Sequence, residues 1–113
     1  MKSLPIDRLV RTPHFSMRGF AFYYCFILYF MKIFIAHASS YDYKNELYLL
    51  IRKSYLNNEH EIILPIENGR EVITKEMIKS CDLVIAEVSY PSTGMGIELG
   101  WADIFKIPIY CIY

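Results

Sequence analysis

The chain has 113 residues, which predicts one domain, and its twelve basic residues balance its twelve acidic residues. Nucleic-acid binding depends on clustered positive charge, so this balance argues against a nucleic-acid partner. The three cysteines, Cys25, Cys81 and Cys111, form no C-x-x-C pair, and no residues have the spacing of metal ligands. We therefore expect no metal, no other cofactor and a cytoplasmic location.

The first thirty residues differ in composition from the rest of the chain. Residues 1–18 contain four basic residues and two prolines, whereas residues 19–31 carry no charge. This uncharged run is shorter than the roughly twenty residues of a membrane-spanning helix. Three interpretations stay open: residues 1–30 are an upstream extension of a natural start at Met31, residues 19–31 anchor the chain to a membrane, or they belong to a signal peptide. The first is favoured because a strand-like run follows Met31 directly, so the folded domain is expected to span residues 31–113.

From Met31 onward, short apolar runs alternate with amphipathic segments. Because strands that alternate with helices form a parallel sheet, we predict an α/β fold with an open, mostly parallel sheet and helices on both faces, in three layers of flavodoxin or Rossmann type. The predicted last strand ends the chain and would leave one edge or face uncovered, so we expect a partner subunit or a truncated C-terminus. The predicted strands are Lys32–Ala36, Glu61–Pro65, Asp82–Val88 and Pro108–Tyr113, and the predicted helices are Tyr43–Ser54, Ile73–Ser80 and Ile97–Phe105.

Two loops at the carboxyl ends of predicted strands are rich in small and hydroxyl-bearing residues. The loop His37–Ser40 follows the first strand, and the loop Ser89–Gly96 follows the third. Ligands of open parallel sheets bind at this edge, where backbone N–H and hydroxyl groups of such loops can hold a phosphate. Ordinary turns have the same composition, so this feature alone is a weak indication of a phosphate site.

Glu98 follows the second loop, in the first turn of the third predicted helix. A carboxylate at such a position can simply be stabilised by the helix dipole. However, Gly94 and Gly96 leave space around it, and a carboxylate beside a sugar-sized cleft is what nucleophilic attack at an anomeric carbon requires. Both interpretations stay open on these residues alone.

The run Asp82–Ala102, DLVIAEVSYPSTGMGIELGWA, resembles the signature of nucleoside 2-deoxyribosyltransferases and the related 2'-deoxynucleoside 5'-phosphate N-hydrolases, and Lys106–Tyr113 fits the same family. The resemblance implies a homodimer that cleaves the N-glycosidic bond of a small-molecule 2'-deoxynucleoside or its 5'-monophosphate, by hydrolysis or base transfer. It places Glu98 at the nucleophile position and leaves Glu87 either an orienting or a structural role. The implied substrate-binding residues are His37, Ala38, Ser39, Ser40, Ser92, Gly94 and Gly96.

Three features depart from the family pattern. The acid that the hydrolases carry before the third strand falls at Thr74, which cannot protonate a leaving base, so Glu76 is our candidate acid and Glu71 a second one. Ile33 stands where the hydrolases have a tyrosine, and the family's chain continues past Tyr113. The alternative function is therefore a nucleotide-binding or sensing module that keeps the fold without turnover.

Overall fold

The computed structural model describes residues 30–69 and 72–113, so the expectations for residues 1–29 lie outside the described residues. Within those two ranges no helix is long and apolar enough to cross a membrane. The elements are, in chain order, strand β1 (Lys32–Ala36), a π-helical segment (Lys44–Tyr48) that continues as helix α1 (Leu49–Lys53), helix α2 (Tyr55–Glu59), strand β2 (Glu61–Ile63), helix α3 (Lys75–Lys79), strand β3 (Leu83–Glu87), helix α4 (Thr93–Ile104) and strand β4 (Ile109–Ile112).

The four strands form one parallel sheet in the order β2-β1-β3-β4. The chain moves outward from β1 to β2 and then crosses back to β3, so the direction of winding reverses between β1 and β3. Ligands of such sheets bind where this reversal occurs, at the carboxyl ends of the two central strands. The predicted fold class is confirmed, and the topology places the candidate site between the loops after β1 and β3.

Both central strands are buried on both faces, which explains why they are apolar throughout instead of alternating. One face of the sheet packs against the π-helical segment, α1 and α2, and the other packs against α3 and α4. The first core contains Ile33, Ile35, Leu83, Ile85, Leu47, Ile51 and Leu56, and the second contains Phe34, Ala36, Val84, Ala86, Ile78, Met95 and Ala102. The sheet therefore lies between two helical layers, as predicted.

Helix α4 begins at Thr93, four residues before the predicted start at Ile97. The cause is the Ser92 side chain, whose Oγ accepts a hydrogen bond of 3.2 Å from the Met95 N–H and so caps the helix. A serine cap stabilises a helix start by about 1 kcal/mol, which offsets the poor helix propensity of the glycines that follow. Glu98 consequently lies in the second turn of α4, and its predicted first-turn position is wrong.

The other boundaries differ mainly at element ends, with two causes visible in the structure. Ser54 has extended backbone angles (φ −81°, ψ 161°), which end α1 and separate it from α2, a helix that the sequence did not predict. Thr74 caps α3 by accepting a hydrogen bond of 3.3 Å from the Met77 N–H, so this helix begins at Lys75 and not at Ile73. β1 has its predicted bounds, whereas the other three strands are shorter than predicted.

Candidate active site

The loops after β1 and β3 meet at the carboxyl edge of the sheet, as their sequence positions predicted. Tyr41, directly after the first loop, stacks on Tyr90 of the second, with ring centroids 4.8 Å apart and ring planes 23° from parallel. Such stacking stabilises a pair by about 0.5–1.5 kcal/mol beyond the burial of its surface. This contact joins the two loops at that edge.

His37 is buried between these loops and is held through both of its ring nitrogens. Its Nδ1 lies 2.7 Å from the Ala38 carbonyl oxygen, which can only accept, so Nδ1 carries the proton. Nε2 is then the acceptor for the Tyr48 hydroxyl, at 2.5 Å. Burial lowers the pKa of His37, although the Ala38 carbonyl and the charge of Glu87 act in the opposite direction. His37 is therefore a neutral, fixed acceptor at physiological pH.

Tyr48 links the loop after β2 to this histidine. Its hydroxyl accepts a hydrogen bond of 3.1 Å from the Ile66 N–H and donates to His37. The ring packs edge-on against His37 and lies 5.1 Å from the ring of Tyr43, which itself lies 4.7 Å from His37. We call the five rings His37, Tyr41, Tyr43, Tyr48 and Tyr90 the aromatic cluster. It forms a fixed wall at the switch point of the sheet.

Replacing Tyr48 with Phe is expected to lower the free energy of unfolding by roughly 1–3 kcal/mol, because the buried His37 and the half-buried Ile66 N–H lose the hydroxyl that joins them. Urea unfolding measures this change. Tyr113→Phe is the matched control, since Tyr113 is 71% exposed just after β4, and should change the value by less than about 0.5 kcal/mol. Equal effects of the two substitutions would contradict the described role of Tyr48.

Glu87, the last residue of β3, is completely buried. Its Oε1 accepts hydrogen bonds from the N–H of Ser89, at 2.9 Å, and from the Ser89 hydroxyl, so it holds the start of the second loop. Its Oε2 and the Tyr41 hydroxyl are both buried and interact with each other, although their geometry is poorer than that of a standard hydrogen bond. Burial raises the pKa of Tyr41, and the neighbouring Glu87 carboxylate raises it further. The hydrogen bonds of Glu87 to Ser89 fit both roles left open for it, orienting and structural.

Glu98 is half-buried on α4 and lies within electrostatic reach of the aromatic cluster. Burial raises its pKa from 4.5 to about 7. Its charge also contributes to raising the pKa of Tyr48, after the larger effect of that tyrosine's own burial. The charge of Glu98 thus affects the pKa of Tyr48, whereas the charge of Glu87 affects the pKa of His37. Of these two carboxylates, Glu87 is completely buried and Glu98 is half-buried.

The remaining predicted substrate-binding residues line the same edge. Ala38 is buried, Ser39 and Ser40 are exposed, and Ser92 is half-buried at the start of α4. Gly94 and Gly96 lie in the first turn of that helix, and a Cβ added at Gly96 would meet no atom within 4 Å. Packing within the described residues therefore does not require glycine at Gly96. The exposed first turn, with its N–H groups and the Ser92 hydroxyl, has the chemistry of an anion site.

The family's acid position, Thr74, and the candidate acid Glu76 lie at the start of α3. The Thr74 hydroxyl is engaged in capping that helix, and Glu76 is exposed in its first turn. Glu71, the second candidate, lies outside the described residues. Ile33, at the position of the family's tyrosine, is completely buried in the first core, so the phenol groups of this site come from the aromatic cluster instead.

The described part of the chain offers no candidate metal site. Among residues 30–69 and 72–113, no three His, Cys, Asp or Glu side chains are grouped so that they could hold a metal ion.

Comparison with known proteins gives a short similarity to a curated protein. No family model matches the chain. A segment of 36 residues is 47% identical to a protein of Syntrophotalea carbinolica named "Putative 2'-deoxynucleoside 5'-phosphate N-hydrolase 1". The matched segment covers 32% of this chain and 25% of that protein, so the similarity spans about a quarter of the relative's length. A match of this length gives weak support to the family resemblance seen in the sequence.

Proposed function

We propose that this protein cleaves the N-glycosidic bond of 2'-deoxynucleosides or their 5'-monophosphates through a covalent intermediate on Glu98. The observation that carries the proposal is the half-buried Glu98 carboxylate, whose pKa is about 7, beside the aromatic cluster at the switch point of the sheet. A partly desolvated carboxylate is a better nucleophile than a fully hydrated one, and at neutral pH about half of it is ionised. The short similarity to a protein named as an N-hydrolase supports the same chemistry.

The reaction proceeds in two displacements at C1' of the sugar. An ionised oxygen of Glu98 attacks C1', and the electron pair of the C1'–N bond leaves with the base, which takes up a proton. The product is an ester between Glu98 and the deoxyribosyl group. Water then attacks C1', which breaks the ester, releases the sugar and a proton, and regenerates the carboxylate. A second base in place of water gives base transfer.

The start of α4 is the proposed site for a 5'-phosphate. Backbone N–H groups at a helix N-terminus, together with the positive end of the helix dipole, attract anions. Ser92 Oγ accepts the capping hydrogen bond from Met95, so its own proton stays available for donation to a phosphate oxygen. Ser39 and Ser40 in the first loop are the proposed hydroxyl donors from the opposite side. The expected homodimer stays a prediction.

The leaving base needs a proton, and Glu76 is our proposed donor. If Glu76 protonates the base, Glu76→Gln should lower the rate of purine release by a factor of about 10²–10⁴, the usual contribution of a general acid. Chromatographic measurement of free base checks this. An unchanged rate would remove Glu76 from the mechanism.

Thr74→Asp tests the same step from the other direction. Aspartate caps helices as well as threonine does, so α3 should keep its start while the family's acid position gains a carboxyl group. Because Glu76 is the proposed donor, we expect an unchanged rate of purine release from Thr74→Asp. Faster release would show that Glu76 is dispensable.

A second candidate function is a nucleotide-binding or sensing module without turnover. The observation in its favour is that Thr74 is engaged as a helix cap and has no acidic group. The two functions are separated by incubating the full 113-residue chain with each deoxynucleoside and each 5'-monophosphate, and measuring both bound ligand and released base. Base release supports the proposed enzyme, binding without release supports the sensor, and neither binding nor release contradicts both.

A further inference from the structure

The chain makes a tight turn directly after β2, at residues Leu64–Glu67. A hydrogen bond of 3.2 Å from the Glu67 N–H to the Leu64 carbonyl oxygen closes this turn. Pro65 occupies its second position, where the fixed φ of proline favours a turn. Because β1 and β2 are parallel neighbours, the turn lies at the same carboxyl edge of the sheet as His37.

Tyr48 and Arg52 contact adjacent residues of this turn. They lie four residues apart on the helix that the π-helical segment and α1 form, so both project from the same side of it. The Tyr48 hydroxyl accepts a hydrogen bond of 3.1 Å from the Ile66 N–H. The Arg52 guanidinium donates to both carboxylate oxygens of Glu67, at 2.6 and 2.8 Å. The helix therefore holds the turn at two successive residues.

The Arg52–Glu67 ion pair has the geometry of a strong surface pair. Exposed ion pairs generally contribute little, because two long side chains must be ordered in water. This pair is bidentate, its side chains are only 34% and 33% exposed, and Arg52 also donates a hydrogen bond of 2.7 Å to Asn57 on α2. The pair therefore keeps Glu67, and with it the neighbouring Ile66 N–H, in one position against the helix.

The position of the Ile66 N–H sets the direction of the hydrogen bond between Tyr48 and His37. A phenol donates one hydrogen bond and accepts others through its oxygen. Since the Ile66 N–H donates to that oxygen, the hydroxyl proton is directed at His37 Nε2, which must then carry no proton. The Ala38 carbonyl oxygen fixes the proton on Nδ1. The turn thus favours the neutral form of His37 in one orientation.

We propose that Arg52 and Glu67 are positioning residues, which act through the turn Leu64–Glu67 and the Tyr48 hydroxyl to fix His37 for ligand binding. His37 is a predicted substrate-binding residue, and only the effect on nucleotide binding rests on the proposed function. The protein should therefore bind a nucleotide less tightly when the ion pair is lost, although the loops that carry the binding residues keep their sequence.

Glu67→Gln tests this inference through the sign of its effect on His37. Removal of a negative charge would by itself lower the pKa of a nearby histidine. Release of the turn has the opposite effect, because the Tyr48 hydroxyl can then accept a hydrogen bond from a protonated Nε2. We expect the proton affinity of His37, measured by NMR titration, to rise at least about threefold. Arg52→Met, which removes the opposite charge, should act in the same direction.

Hydrogen exchange of the Ile66 amide follows the turn itself in the same NMR samples. Exchange should become at least about tenfold faster in Glu67→Gln, because the N–H is no longer held against Tyr48. A proton affinity of His37 that is unchanged or lowered in Glu67→Gln would overturn the inference, and so would an unchanged exchange rate of the Ile66 amide.

A matched variant and a second histidine exclude a general loss of stability. Glu61→Gln removes the ion-pair partner of Lys32 at the opposite end of β2 and should leave the proton affinity of His37 unchanged. His60 precedes β2 and accepts a hydrogen bond from the backbone, so its own proton affinity should stay the same in Glu67→Gln. The substitutions leave intact the other titratable groups beside His37, which are Tyr41, Tyr43 and Glu87.

Tyr48→Phe tests the route from the turn to His37. Without the hydroxyl, the position of the Ile66 N–H no longer reaches the histidine, so Glu67→Gln should have no further effect on the proton affinity of His37 in this background. Equal effects of Glu67→Gln with and without the Tyr48 hydroxyl would overturn the inference.

Calorimetric titration with each deoxynucleoside 5'-monophosphate measures the consequence for binding. Glu67→Gln should raise the Kd at least about threefold relative to wild type, whereas Glu61→Gln should not change it. An unchanged Kd in a variant whose His37 has changed would overturn the role in ligand binding. If the wild type binds no nucleotide, the proposed function fails, whereas the NMR results still decide whether Arg52 and Glu67 position His37.

Discussion

Glu98→Gln is expected to abolish base release, with a fall in kcat of about 10³-fold or more, because removal of a covalent nucleophile has at least that effect in other enzymes. Glutamine has nearly the same shape as glutamate but cannot form the glycosyl ester. Substrate binding should be retained, since the phosphate contacts proposed above do not involve Glu98. Free base measured by chromatography and Kd measured by calorimetry separate the two effects.

Glu59→Gln is the matched control for this substitution. Glu59 is exposed at the end of α2, on a helix that takes no part in the candidate site. Its substitution should leave base release within about twofold of the wild-type rate, in keeping with the small effects of most surface changes. Substantial base release by Glu98→Gln would assign the nucleophile to another residue.

Base release by the Glu76→Gln variant, in which the proposed acid no longer titrates, is expected to rise with pH and to level off above neutrality. The nucleophile acts in its ionised form, and burial raises the pKa of Glu98 to about 7. Below that value kcat/KM should therefore fall about tenfold per pH unit, so that the value at pH 5 is roughly 100-fold below the plateau. A rate that stays constant between pH 5 and pH 7 would contradict a nucleophile with this pKa.

The same shift makes the stability of the protein depend on pH. The folded-state pKa of Glu98 lies above the unfolded value, so the folded state holds the proton more tightly and is favoured below about pH 4.5. This contribution is lost as the pH rises through about 7. Glu98→Gln should thus raise the Tm relative to wild type at pH 8 and change it little at pH 4. Equal changes at both values would show that burial does not disfavour the ionised form.

The sequence was sufficient to predict the fold because its strands are short, apolar and separated by helical segments. β1 was predicted with its observed bounds, since its β-branched and aromatic residues give way at once to small polar ones. Helix α4 was placed too late because the glycines argued against a helix, and the capping hydrogen bond from Met95 to Ser92 outweighed them. Ser54 ends a helix through its backbone angles, which a periodic pattern does not encode.

Only the site residues that belong to a local sequence motif could be predicted. Glu98 and Ser92 stand in a run whose resemblance to a known family is visible in the residues themselves. The His37–Tyr48 hydrogen bond joins residues eleven positions apart, and the Ile66–Tyr48 bond joins residues eighteen apart. Such contacts depend on how the helices pack on the sheet. The complete burial of Glu87 likewise follows from its position at the end of a central strand, covered by two loops.

The most direct test of the proposed mechanism is mass spectrometry of the full chain after incubation with a 2'-fluoro-arabinosyl nucleotide, whose fluorine slows breakdown of the glycosyl ester. The mechanism predicts an increase in mass equal to one fluorinated sugar phosphate, located on the peptide that contains Glu98. Glu98→Gln should show no such increase, and Glu59→Gln should show the wild-type result. Base release from this nucleotide without any adduct, or an adduct on a residue other than Glu98, would contradict the assignment of Glu98 as the nucleophile.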